Sequence, residues 1–338
     1  MKKSILLLLT LCILLSSVGV ITANAEEPLY TYDNDTKTLT INIQGEMKYD
    51  YTNAPWLNIE YPEHIVLKKG LTAIPSFAFC FAIHGNNGQR INNYDRIKTV
   101  TIPNTVQSIG EYAFSSCNKL EKINIPNGVK IIGKETFDGC SKLKKITVPG
   151  TIKTIKFGTF SDCKDLKNVV LKSGTKTIGD KAFFNCTKLR LIKIPDSVNV
   201  IKSAFCNCNS LKAIKLPKSL KTIKSHTFYS CKNLKKITLS NKVTKIESLS
   251  FDNCASLKSI TVTNRVKTIN GYAFNNCKNL KKISVPKSVK KIGKKAFGYK
   301  EKGVRDIKIK GFTIKGYKGT AAEKYAKENK FKFVALDK

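Results

Sequence analysis

"IGEYAFSSCNKLEKINIPNGVK", residues 109–130, is followed by near copies of itself: "IGKETFDGCSKLKKITVPGTIK" from Ile132, "IGDKAFFNCTKLRLIKIPDSVN" from Ile178 and "INGYAFNNCKNLKKISVPKSVK" from Ile269. Units open at Ile109, Ile132, Ile155, Ile178, Ile201, Ile223, Ile246 and Ile269, a period of 23 residues with one unit of 22 after Ile201. A fixed period of this length specifies a solenoid, because no single unit can bury its own apolar face and stacked units can. An incomplete copy starts at Ile74 and carries the polar insertion "AIHGNNGQRINNYD", which reads as a surface loop. A ninth start, "IGKKAF" at Ile292, runs out into different sequence.

Within the first full unit the apolar positions are Phe114, Cys117, Leu120, Ile123, Ile125 and Val129. In "LEKINIP" the isoleucines alternate as on a strand with one face inward, and Pro126 stops that strand. "VKII" is a second short extended piece, and "GKETFDGC" suits a tight helical or 3₁₀ turn between extended segments. Rungs about 4.8 Å apart turn each apolar position into an internal ladder: a phenylalanine spine, a leucine row and two rows of isoleucine or valine.

Cys117, Cys140, Cys163, Cys186, Cys208, Cys231, Cys254 and Cys277 repeat in register, so all eight fall on one such ladder. An even number of cysteines invites a disulfide reading. In-register side chains point the same way, however, with Cβ atoms about 4.8 Å apart against the roughly 3.8 Å of an unstrained bridge. The expectation is buried, unpaired thiols acting as small hydrophobes. A cysteine nucleophile needs a base beside it, and the chain has three histidines, His64, His84 and His226. Cys80 and His84 form the one local thiol–imidazole pair, while Cys206 and Cys208 read as accidental neighbours in the short unit. Carboxylates show no repeated pairing and no glycine-rich phosphate loop occurs. No catalytic residue, metal site, cofactor or small-molecule substrate is expected.

The N-terminus "MKKSILLLLTLCILLSSVGVITANA" has a basic start, an apolar run and Ala23-Asn24-Ala25 before Glu26, the pattern of a cleaved secretory signal peptide over 1–25. Cys12 follows Leu11 and not a small residue, which argues against lipid attachment, and no later run is apolar enough to span a membrane. Without Lys2 and Lys3, the 60 basic residues become 58 against 24 acidic ones, a net charge of about +34. Only five of the basic residues are arginine, so diffuse attraction to polyanions is favoured over geometric phosphate readout, and no dedicated nucleic-acid site is expected.

Immediately after the ladder leucine, successive units carry Glu121, Lys144, Lys167, Arg190, Lys212, Lys235, Lys258 and Lys281. The seven basic members are the candidate polyanion-binding column. A second column, Lys130, Lys153, Lys176, Lys221, Lys267 and Lys290, is interrupted at Asn199 and Thr244. Like charges about 5 Å apart repel by something near 1 kcal/mol in water, which is tolerable when exposed and relieved by an anionic partner. Solubility and protection of a sheet surface are the competing reading of both columns, and codon bias alone would also raise the lysine content.

The unit I-G-x-x-A-F-x-x-C-x-x-L-x-x-I-x-I-P-x-x-V resembles the BspA-like leucine-rich repeat of surface and secreted proteins, over residues 74–297. The resemblance implies a β-rich leucine-rich-repeat solenoid with short helical or 3₁₀ turns. Residues 26–73 resemble a small N-terminal β-strand capping module, with Trp56 plugging the first rung, and residues 298–338 a short α/β C-terminal cap. In that cap Ala321 to Asn329 should form a helix, with Tyr325 and Phe331 over the last rung. Lys172, Ser240 and Thr263 replace the strand-ending proline and Thr175 replaces an apolar residue, so less regular rungs are expected there. The implied function is a non-catalytic, monomeric binding scaffold, secreted or on the cell surface, recognising an extracellular protein or an anionic glycan. The alternative is an envelope component held to anionic cell-wall polymer by charge.

Overall fold

The computed structural model describes residues 27–59, 61–80 and 94–337. The leader read over 1–25 and His84 lie outside the described residues.

Short strands stack in two ladders. The first begins with an antiparallel hairpin, Tyr30–Asp33 against Thr38–Ile41. From there the pairing is parallel, through His64–Leu67, Thr99–Thr101 and Lys122–Ile123. The leucine-rich strands continue it as Lys145–Val148, Asn168–Leu171, Leu191–Lys193, Ala213–Lys215, Lys236–Thr238, Ser259–Ile260 and Lys282–Ser284. Register follows the sequence period: Ile146 lies opposite Val169 and Val169 opposite Ile192. The second ladder begins with Gly45–Glu46 and Leu71–Ile74 and continues in two-residue strands such as Thr154–Ile155, Thr177–Ile178 and Val200–Ile201. Strand pairing in both ladders is interrupted at the short unit, between Leu191–Lys193 and Ala213–Lys215 and between Val200–Ile201 and Thr222–Ile223; the first ladder is also interrupted after Lys122–Ile123 and after Ser259–Ile260, and the second after Ile131–Ile132.

A third side holds the stack together there. Each phenylalanine N–H donates to a carbonyl of the following rung: Phe160 to Ala182, Phe183 to Ala204 and Phe205 to Thr227, each at 2.9 Å. This corner, expected as a helical or 3₁₀ turn, is instead a run of turns. The reason is local. Two residues per unit sit in the left-handed region, as at Tyr112 (φ 56°) and Ser116 (φ 59°), and left-handed residues cannot continue a right-handed helix. The second site precedes the cysteine and is filled by residues that tolerate it, Gly139, Asp162, Asn185, Asn207, Asn253 and Asn276 among them. The 22-residue unit lacks the first of the two: no residue between Lys202 and Cys206 has positive φ.

The interior is one continuous apolar cluster. From Phe79 to Phe274, nine rings stack with centroids 5.0–5.6 Å apart and planes within 12°. Each such pair contributes about 0.5–1.5 kcal/mol beyond the area it buries. At the N-terminal end Trp56 is buried, edge-on to Tyr30 and Tyr49. At the other end the helix Ala321–Glu328 covers Phe297 with Tyr325, whose ring lies 4.6 Å away and whose hydroxyl donates to the Phe297 carbonyl at 2.9 Å. Phe331 packs on Phe312 at 5.4 Å. Thr175, an apolar position elsewhere, is fully buried and donates its hydroxyl to the Ile152 carbonyl at 3.0 Å, so the rung keeps its place. No helix among the described residues is long and apolar enough to cross a membrane.

Candidate functional site

The eight ladder cysteines are buried and none is in a disulfide. Each does more than fill space. Its S–H donates to the carbonyl of the phenylalanine one rung back: Cys140 to Phe114, Cys163 to Phe137, Cys208 to Phe183, Cys254 to Phe228 and Cys277 to Phe251 at 3.2 Å, and Cys117 to Phe79, Cys186 to Phe160 and Cys231 to Phe205 at 3.1 Å. The same carbonyls accept N–H groups within their own rung, as Cys140 N to Phe137 O at 3.2 Å, so the thiol takes up the second lone pair. Burial pushes all eight thiols well above their ordinary range, which keeps them protonated and removes the thiolate that nucleophilic or metal chemistry requires.

The basic column stands on the opposite kind of surface. Lys144, Lys167, Arg190, Lys212, Lys235, Lys258 and Lys281 are all exposed. Backbone bonds hold them in line: Lys167 N–H to Lys144 O at 2.9 Å, Arg190 to Lys167 at 3.0 Å and Lys235 to Lys212 at 2.9 Å. The structure extends this column upstream to two residues that the sequence reading missed. Lys98 occupies the equivalent place across the insertion and bonds Glu63 at 2.6 Å, as Lys144 bonds Glu121 at 2.8 Å. The lysine partners hold both carboxyls below their usual range. From Lys167 onward the pattern changes: among the described residues no carboxylate lies within 4 Å of Lys167, Arg190, Lys212, Lys235, Lys258 or Lys281. The loop beside it does have a carboxylate, Asp165, but that contacts Lys188 at 2.7 Å and Lys142 at 3.9 Å. The interrupted second column, Lys130 to Lys290, is likewise exposed.

The short unit makes two openings. On the sheet, a shallow cavity of about 590 Å³ lies between Leu191–Ile194 and Ala213–Lys215. On the corner side, a cleft of about 560 Å³ is lined by Lys181, Phe184, Cys206, His226, Tyr229 and Asp252. Lys181 and His226 are the left-handed residues of the flanking rungs, and the cleft opens where the short rung lacks its own. Cys206, half-buried in it, is pushed up to about 11 by burial against the opposing charge of Lys181. Asp252 is pushed up to about 6, chiefly by burial. Sequence alone offered a signal here, the missing residue, which the C-x-C reading left unused. Cys80 is buried and pushed up to about 12 by the same cause. His64 Nδ1 lies 2.7 Å from the Thr99 hydroxyl. Among the described residues, no three His, Cys, Asp or Glu side chains gather as a metal-binding set.

A family model described as "BspA type Leucine rich repeat region (6 copies)" matches residues 88–204 and 199–315. No curated protein matches. Among solved structures, a leucine-rich repeat protein from Eubacterium ventriosum is 25% identical, covering 79% of this chain and 91% of that one with a TM-score of 0.45. One from Bacteroides ovatus is 22% identical, covering 91% and 98% at 0.45. A leucine rich cell surface protein from Faecalibacterium prausnitzii is 20% identical, covering 88% and 94% at 0.35. With the repeat, its register and its stacked interior agreeing with the family match over two thirds of its length, the chain belongs to the BspA-type leucine-rich repeat proteins.

Proposed function

We propose that this is a non-catalytic, monomeric binding scaffold, secreted or at the cell surface, whose exposed sheet side recognises an extracellular protein or an anionic glycan. One observation carries the reading: six cations, Lys167 to Lys281, lie in register on consecutive rungs with no carboxylate partner among the described residues. Such a run concentrates positive potential along one line, and an anionic partner relieves its self-repulsion. The secretory pattern of residues 1–25 supports the location. The sealed, protonated state of the ladder thiols supports a non-catalytic role.

A second reading, an envelope component held to anionic cell-wall polymer, draws on the same charge. Titration of residues 26–338 against matrix proteins, glycosaminoglycan and teichoic-acid polymer at low and moderate salt separates the two, with a variant in which Lys167, Lys212, Lys235, Lys258 and Lys281 are changed to Gln alongside. A scaffold for one protein partner retains much of its affinity at moderate salt, whereas charge-held attachment binds every polyanion and is lost both with salt and in the variant. Binding of polyanions undiminished in the variant rules out the column as the site.

A further inference from the structure

We infer that the natural partner of the column is a protein, presenting an extended acidic segment with a bulky apolar side chain that seats in the notch between Leu191 and Ala213; the inference rests on the column being a binding surface. The outward position at the start of each leucine-rich strand is polar on neighbouring rungs, Lys145, Asn168, Lys236, Ser259 and Lys282, and apolar on two, Leu191 and Ala213. Those two are consecutive rungs, and they flank one of the interruptions of the sheet, the one at the short unit. Leu191 leaves 49% of its surface in water. Beneath Leu191 and Ala213, Ile192 and Ile214 are buried like the inward residues of the other rungs and form an apolar floor. The opening above that floor measures about 590 Å³.

Every charged residue that lines it is cationic: Lys193, Lys215 and Lys236, beside Thr238. Arg190 and Lys212 directly precede Leu191 and Ala213 in the column, and none of the five cations has a carboxylate within 4 Å among the described residues. Arg190 is the one arginine of the column, the residue able to grip a carboxylate through two parallel bonds. A polymer of sugar and phosphate satisfies the rim but has no bulky apolar group for the floor. An extended acidic peptide supplies both, because its side chains project at a spacing that sets carboxylates on either side of a central apolar residue. The chemistry therefore distinguishes a protein from a polyanionic polymer as the ligand.

The test uses two peptides, Glu-Glu-Glu-Leu-Glu-Glu-Glu and the same sequence with glycine at the centre, titrated at low salt against residues 26–338 and against the variant Leu191→Lys with Ala213→Lys. Lysine occupies the same outward position at Lys145 and Lys236, so the fold accommodates both changes, which circular dichroism checks. The leucine peptide is expected to bind the unaltered protein about tenfold or more tightly than the glycine peptide. In the variant that preference disappears, although both peptides gain from the two added charges. Equal, salt-sensitive binding of the two peptides to the unaltered protein overturns the notch and leaves the cationic surface standing. A leucine preference that survives in the variant also overturns it, and binding of neither peptide overturns the notch and the column together.

Discussion

The two ends of the basic column occupy the same place in each repeat and differ in charge sequence. Toward the N-terminus it alternates, Glu63, Lys98, Glu121, Lys144, and the members pair at 2.6 and 2.8 Å. From Lys167 to Lys281 it is cationic throughout and unpaired among the described residues. In a solenoid the hydrogen-bond register decides who is adjacent to whom, so a surface side chain cannot choose its neighbour. Alternation neutralises itself, and a run of one sign stays open to a partner. The lysine excess of the composition is therefore not spread evenly: it is compensated at one end of this column and left free on the remaining rungs.

That contrast holds only if the interior is the same along the axis, and the largest effect tests this. Phe114→Ala in the alternating part and Phe228→Ala in the cationic part should each cost about 3–5 kcal/mol in urea unfolding, since both rings are fully buried and stacked on both sides. Unequal costs would mean that the two regions differ in packing as well as charge. Smaller, and again equal, should be the effects of Cys140→Ala and Cys231→Ala, about 1–2 kcal/mol each, from the lost volume and from the phenylalanine carbonyl that loses its S–H donor.

The smallest effects should differ in sign. Lys144→Gln removes the partner of Glu121 and lowers the urea midpoint, whereas Lys235→Gln removes a repelling charge and raises it; both shifts should fade in about 1 M salt. Proton linkage sharpens this pair. Lys144 holds the Glu121 carboxyl below its usual range, so its contribution is present above the unfolded carboxyl value and is lost as pH falls through the depressed folded one. The penalty of Lys144→Gln should therefore vanish in unfolding titrations well below about pH 4, while the gain of Lys235→Gln persists.

The rungs, their register and their inward rows were legible because a period of 23 residues repeats the same apolar positions, and stacking gives such a pattern one solution. The corner was legible by half. Asn185, Asn253 and Asn276 before the cysteines carry a left-handed signal, but Tyr112, Glu135 and Leu249 occupy left-handed sites with side chains that give none, because the ladder of backbone bonds imposes the conformation. Glu63 and Lys98 were hidden by the insertion, which separates them by 35 residues where the repeat spacing is 23. The notch was hidden differently: Leu191 and Ala213 are unremarkable apart, and only register makes them neighbours across an open seam.

The thiol row also has a kinetic meaning. A protonated, buried sulfhydryl reacts when its rung opens and at no other time, so the rate at which each cysteine is modified measures how often that rung comes apart. One such group sits on each of eight successive rungs from Cys117 to Cys277. The chain thus carries its own evenly spaced probes of breathing, able to tell whether the array frays from its ends or parts first at the seam of the short unit.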